Sequence, residues 1–130
     1  MNWDFLIKDK HSLCVSTDTR NLPAGCVFFA LHGERFDGNK FAQQALESGA
    51  SLAVIDNPEV FDAYSQSPIA HSRILLVEDT LLALQELARD WRRELGLPII
   101  AITGTNGKTT TKELLATVLS TKYHLHYTQG

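Results

Sequence analysis

Short apolar runs alternate with amphipathic stretches along the whole chain. The runs Cys26 to Leu31, Ser51 to Ile55, Arg73 to Glu78 and Pro98 to Thr103 are rich in β-forming residues and continuous in hydrophobicity. That is the pattern of strands buried on both faces. Ser12 to Ser16 reads as a shorter strand, and Tyr123 to Tyr127 alternates like the start of another. Between them lie helical patterns. Asn39 caps a helix to about Ser48, with Phe41, Ala42, Ala45 and Leu46 at helical spacing and Gly49 as its stop. Asn57-Pro58 opens a short helix, and residues 65–72 form a polar loop. Asp79 or Thr80 caps a long helix to Leu95, whose apolar face is Leu81, Leu84, Leu87, Ala88, Trp91 and Leu95. Gly96 and Pro98 end it, and Thr109 to about Ser120 forms the last helix.

Strands and helices that alternate in this way predict an α/β fold with largely parallel pairing. The boundary falls at Gly96-Leu97-Pro98. Residues 1–96 hold about three βα units, enough for a small α/β domain. Residues 97–130 hold a strand, a helix and a strand start, the opening βαβ of a nucleotide-binding domain whose remaining strands are missing.

Composition adds exclusions. The chain has 130 residues, 44% hydrophobic and 21% charged, with a formal net charge of -3. No basic excess suggests a nucleic-acid partner, and no apolar run approaches a membrane span. The N-terminus lacks the basic start and cleavage site of a signal peptide, so the expected compartment is cytoplasmic. Cys14 and Cys26 lack metal-ligand spacing and read as buried thiols. Trp3 and Trp91 read as packing residues. His124 and His126 lack a third ligand and make a poor metal site.

The chemistry concentrates in Gly104-Thr105-Asn106-Gly107-Lys108-Thr109-Thr110. An apolar strand enters it and a helix leaves it. Backbone N–H groups at such a turn converge on phosphate oxygens, and Gly104 and Gly107 permit the close approach. Lys108 reaches the β- and γ-phosphates, and the Thr109 hydroxyl is placed to ligate Mg²⁺. Ile102 stands where the strict phosphate-loop pattern has glycine.

The string from Ile102 to Glu113 resembles the ATP loop of the Mur ligases, cytoplasmic enzymes that build the peptide of bacterial peptidoglycan. Folylpolyglutamate and cyanophycin synthetases carry similar loops. Upstream, Asp18-Thr19-Arg20, Leu22 to Gly25, Phe28 to Gly33, Phe36 to Phe41 and Ala45 to Ala50 resemble the uridine-nucleotide domain of two Mur ligases. One adds the third peptide residue; the other adds the terminal D-alanyl-D-alanine, and Thr111-Lys112-Glu113 looks more like the second. The resemblance spans about Ser16 to Gly130. It implies an ATP- and Mg²⁺-dependent amide ligase acting through an acyl phosphate on a UDP-N-acetylmuramoyl-peptide. It also implies that this chain is the first domain and the start of the second. The acidic Mg²⁺ ligands, the carbamylated lysine and the D-alanyl-D-alanine site would then lie outside these residues, and the chain alone is expected not to ligate.

Carried onto this sequence, the resemblance makes Thr17, Asp18, Thr19 and Arg20 contacts of uridine and diphosphate. The local alternative is a turn in which Asp18 caps backbone N–H groups and pairs with Arg20. Glu34, Arg35 and Phe36 match the second uridine-binding segment, with Phe36 placed to stack on uracil and Arg35 to meet phosphate. Asn39 stands where the family often has histidine. His32 reads as a packed or exposed histidine rather than a catalyst. The other class of function left open is a non-catalytic nucleotide-binding module that senses ATP.

Overall fold

The computed structural model describes residues 3–7, 13–34, 36–65 and 72–129. The chain divides into two compact units, Met1–Gly96 and Leu97–Gly130.

The first unit is built on a parallel sheet of four strands in chain order: β1 (Val15–Ser16), β2 (Val27–Phe29), β5 (Leu52–Ile55) and β6 (Ile74–Leu76). Val27 pairs with Val15 and Leu52, and Ala53 pairs with Ile74. Because side chains alternate across a strand, each apolar run feeds two cores. Phe28, Ala53, Ile55 and Ile74 face the short helices α2 (Ala42–Glu47) and α3 (Pro58–Ser65) through Ala42, Ala45, Leu46 and Phe61. Val27, Phe29 and Val54 face α1 (Asp4–Ile7) and α4 (Thr80–Leu95) through Trp3, Ile7, Ala83 and Leu87. The result is a sheet covered by helices on both sides, the arrangement parallel strands require. Trp3 is fully buried against Phe29, with ring centroids 6.0 Å apart, and Trp91 packs on the edge of the same cluster.

Several local expectations shift. The loop His32 to Gly38 is a small antiparallel hairpin, β3 (His32–Gly33) with β4 (Phe36–Asp37), in which His32 pairs with Asp37. The helix expected from Asn39 begins instead as a 3₁₀ turn, Gly38–Phe41, capped by Asp37, whose carboxylate accepts the Asn39 N–H at 3.0 Å. Gly38 N–H donates to the Leu31 carbonyl at 2.9 Å. A Cβ on Gly38 would stand 2.7 Å from the Ala30 carbonyl carbon, so the turn needs glycine for close approach rather than for φ. In α4, Asp79 is the cap and Gly96, left-handed at φ 61°, is the stop. Its inward face is Thr80, Ala83, Leu84, Leu87 and Trp91. Leu81, Ala88 and Leu95, one heptad apart and expected inside, are exposed. Thr80 can turn inward because its hydroxyl finds buried acceptors, and Ala83 lets the helix approach the sheet.

Cys14 and Cys26, expected as separate buried thiols, are joined as a disulfide. They occupy equivalent positions just before two adjacent parallel strands, with Cα atoms 4.5 Å apart.

In the second unit the helix forms, α5 (Lys108–Leu119), but residues 98–103 and 123–127 do not pair as strands among the described residues. A strand exists only where a neighbour accepts and donates its ladder bonds. Both segments instead lie along α5. Ile100, Ile102, Leu125 and Tyr127 line one shallow cavity with Leu115 and Ala116, and Lys112 Nζ donates to the Thr128 carbonyl at 2.5 Å.

Candidate functional site

Parallel strands deliver the segments that follow them to one edge of the sheet, where α/β folds place their ligands. Here those segments are Thr17 to Arg20 after β1, His32 to Lys40 after β2, Asp56 to Glu59 after β5 and Val77 to Thr80 after β6. A cavity of about 960 Å³ opens at this edge, lined by His32, Gly33, Glu34, Phe36, Asp37, Asn39, Lys40 and residues 56–59. It brings Glu34 and Phe36 together as expected from the sequence. Phe36 is 53% exposed and stacks on Phe41, centroids 5.4 Å apart and planes 12° from parallel. One ring face is thus braced while much of the ring stays accessible. Arg35 lies outside the described residues.

The cavity floor is a polar network that the sequence reading missed. Asn39, 5% exposed, donates its two amide hydrogens to two carboxylates, Asp37 Oδ1 and Asp56 Oδ1, each at 2.9 Å. Its Oδ1 accepts the Asp56 N–H at 3.1 Å. Asp56 Oδ2 accepts the Thr80 N–H at 3.2 Å and lies 3.0 Å from the Thr80 hydroxyl, whose single proton is shared with the Ala30 carbonyl at 3.1 Å. His32 Nδ1 stands 3.1 Å from the same Oδ2. Burial alone would raise the Asp56 pKa. The hydrogen bonds from Asn39 and Thr80, with the charge of His32, outweigh it and hold the carboxyl below its ordinary range. The signal for Asp56 was its position, a carboxylate at the carboxyl end of an apolar strand. Asn39, expected only as a cap, ties the segment after β2 to the one after β5, and Asp56 ties both to Thr80.

The Thr17 to Arg20 turn lies at the same edge, outside the lining of that cavity. Asp18 accepts the Arg20 backbone N–H at 2.9 Å and holds its guanidinium through two nitrogens, the shorter contact 2.6 Å. The side-chain hydrogen bond from Arg20 brings the Asp18 pKa down to about 2 and raises that of Arg20. Asp18 is thus occupied within its own turn, capping a backbone N–H and pairing with Arg20, while Thr17 is exposed and Thr19 half-buried.

In the second unit, Gly104 at φ 150° and Gly107 at φ 75° shape the loop. Gly107 caps α5 with its backbone, and its carbonyl accepts the Thr111 N–H at 2.9 Å. Lys108 Nζ donates back to the Gly104 carbonyl. Thr105, Asn106, Thr109 and Thr110 are exposed. Glycine conformation, a free helix start and a lysine folded over the loop are together what a phosphate cradle needs. Among the described residues no group of three or more His, Cys, Asp or Glu could hold a metal ion. The Thr109 hydroxyl suits a Mg²⁺ that takes most of its ligands from phosphate and water.

Two family models match. The Mur ligase family, catalytic domain, covers residues 12–92, and the Mur ligase middle domain covers 102–130. The chain belongs to the Mur ligase family. It is 44% identical over 116 residues to the UDP-N-acetylmuramoyl-tripeptide–D-alanyl-D-alanine ligase of Bacillus subtilis, a match covering 89% of this chain and 24% of that protein. The same ligase of Escherichia coli is 41% identical over 116 residues, with the same coverage. The UDP-N-acetylmuramoyl-L-alanyl-D-glutamate–2,6-diaminopimelate ligase of Aquifex aeolicus is 35% identical over 121 residues, 92% of this chain and 23% of that one. Among solved structures, the MurF ligase of Thermotoga maritima in complex with ADP superposes with a TM-score of 0.71 at 32% identity, covering 88% of this chain and 25% of that one. MurF from Acinetobacter baumannii gives 0.65 at 40% identity, with 83% and 22% coverage. The chain therefore spans about a quarter of the relatives it matches. No helix among the described residues is long and apolar enough to cross a membrane.

Proposed function

We propose that this chain is the UDP-substrate domain, residues 1–96, and the opening of the ATP-binding domain, residues 97–130, of a cytoplasmic ligase. That ligase adds D-alanyl-D-alanine to a UDP-N-acetylmuramoyl-tripeptide. The observation that carries this reading is the 44% identity to a ligase of that name across both units. In the reaction, the γ-phosphoryl of ATP passes to the substrate carboxylate, giving an acyl phosphate and ADP. The amine of D-alanyl-D-alanine then attacks the acyl carbon and phosphate leaves.

In this scheme the backbone of Gly104, Thr105, Asn106, Gly107 and Thr110 positions the phosphates. Lys108 stabilises charge that develops on the transferring phosphoryl group, and Thr109 helps hold Mg²⁺. A bound Mg²⁺ would neutralise charge on the phosphate oxygens. Thr17, Asp18, Thr19 and Arg20, with Glu34, Arg35 and Phe36, hold the UDP end. Asp18 acts there by fixing the turn and orienting Arg20. None of these residues is placed as a general base, so the chain alone binds without ligating. A reducing cytoplasm would open the disulfide between Cys14 and Cys26, while β1 and β2 also pair through their own ladder.

A second reading has specific support. Ligases that add 2,6-diaminopimelate match at 35–40% identity. Phosphate release by the complete protein that carries this chain separates the two. The first reading expects release only with UDP-N-acetylmuramoyl-tripeptide and D-alanyl-D-alanine together. Release with the dipeptide substrate and diaminopimelate instead would replace it with the second.

A further inference from the structure

His32 is the part of the cavity that the resemblance leaves without a role. Its side chain is 56% exposed at the cavity, yet its Nδ1 is tied to Asp56, whose side chain is only 7% exposed. Asp56 is surrounded by donors: Asn39 on one oxygen, Thr80 and His32 on the other. A carboxylate so placed has no proton to give, so the hydrogen between it and the imidazole sits on Nδ1. In its neutral form the ring is then fixed as the Nδ1–H tautomer, with Nε2 as a lone-pair acceptor. Asn39 and Thr80, both almost fully buried, lock the carboxylate and therefore the ring.

The rest of the lining decides which ligand suits such an acceptor. Among the described residues, the titratable groups around it are Glu34, Asp37, Asp56, Glu59 and Lys40. Asp37 and Asp56 are occupied by the network, but Glu34 and Glu59 are exposed carboxylates at the cavity. They would repel a diphosphate and accept hydrogen bonds from hydroxyl or imide groups. Phe36 adds an aromatic surface that a planar base can cover. Taking the first unit as the uridine-nucleotide domain proposed above, we infer that His32 is a binding residue for the nucleoside end. Its Nε2 accepts a hydrogen bond from the uracil N3–H or a ribose hydroxyl, and Asp56 is its positioning residue. The diphosphate leads out of the cavity, away from Glu34 and Glu59.

The test is a long-range ¹H–¹⁵N spectrum of the histidine rings in the ¹⁵N-labelled 130-residue chain, with His32 assigned by the signal lost in His32→Gln. Uridine, UDP and inorganic pyrophosphate are added separately, and binding is followed in parallel by calorimetry. The inference expects the His32 Nε2 resonance to move alike with uridine and UDP, Nδ1 to stay, and pyrophosphate to move neither. His32→Gln should weaken UDP binding about three- to tenfold, the worth of one neutral hydrogen bond. Asp56→Asn should release the tautomer, so that Nδ1 shifts before any ligand is added. UDP binding with Nε2 unmoved overturns the inference and leaves the uridine reading intact. Movement with pyrophosphate but not uridine overturns the assignment to the nucleoside end. No binding of UDP at all removes the uridine reading, and the inference with it.

Discussion

Asp56→Asn changes one atom in the network beneath the cavity and should cost far more than its size suggests. The native carboxylate offers acceptors in two directions, to Asn39 at 2.9 Å and to Thr80 at 3.2 and 3.0 Å. A carboxamide offers oxygen in one direction only. Its NH₂ must then face either the Asn39 amide or the Thr80 N–H, a donor against a donor. Asn39 and Thr80 are 5% and 1% exposed, so water reaches them poorly. Hydrogen bonds to a charged group contribute about 1.5–3 kcal/mol each, and a stranded buried donor costs about 1–3 kcal/mol. We expect a loss of about 2–4 kcal/mol, against a stability of about 5–15 kcal/mol for a domain. Urea unfolding followed by the fluorescence of Trp3 and Trp91 measures it. With a slope of about 1 kcal/mol per molar for a small unit, the midpoint should fall by about 2 M or more.

The pH dependence carries the sign. The Asp56 carboxyl is held below its ordinary range in the fold. Its contribution is therefore complete above the unfolded pKa, about 3.9, and is lost as the pH falls through the lower folded value. Asp56→Asn should flatten that acid limb. A variant within about 0.5 kcal/mol of the native chain, with its acid limb unchanged, would refute the claim that the carboxylate organises this edge.

Three further outcomes follow from the geometry. Gly38→Ala places a Cβ within 3 Å of the Ala30 and Leu31 backbone and should lower stability by about 1–3 kcal/mol, read as a drop in Tm. Phe36→Ala loses its stack on Phe41 and about 0.5–1.5 kcal/mol of stability, while UDP affinity measured by calorimetry falls more steeply than that. Lys108→Ala removes an exposed side chain and should leave the melting of the 130-residue chain unchanged, yet lower phosphate release by the complete protein about 10²-fold or more.

The parallel core was legible because period and composition agree there. Residues 27–29 are fully buried and 52–55 and 74–76 are buried or half-buried strands, and continuous apolar runs have few other uses. What the pattern misjudged depends on contacts far away in the sequence. The inward face of α4 includes Thr80, whose hydroxyl is satisfied by Asp56 and Ala30, fifty residues upstream in the second case. Hydrophobicity alone favours Leu81 and Ala88 in its place. Asp37 rather than Asn39 caps the turn because Asn39 is drawn inward to Asp56, a pairing invisible before β2 and β5 are side by side. Cys14 and Cys26 meet for the same reason. In the second unit, β-forming composition is present at Ile99 to Ile102, but strand pairing needs a partner that the described residues do not supply. The turn from Gly104 to Lys108 was legible as a glycine-shaped helix start because its signal is local, with both glycines at positive φ and α5 beginning at Lys108. Of the residues proposed to hold the uridine end, Glu34 and Phe36 share the cavity, while Thr17 to Arg20 lie beside it.

The proposed function stands on recognition of a uridine nucleotide by the first unit. Calorimetric titration of UDP, and separately of ATP, into the 130-residue chain decides it. Saturable UDP binding is expected, weakened by Phe36→Ala and Thr19→Ala and unaffected by Lys108→Ala. Binding of ATP with no binding of UDP would contradict it and would favour a module that senses ATP.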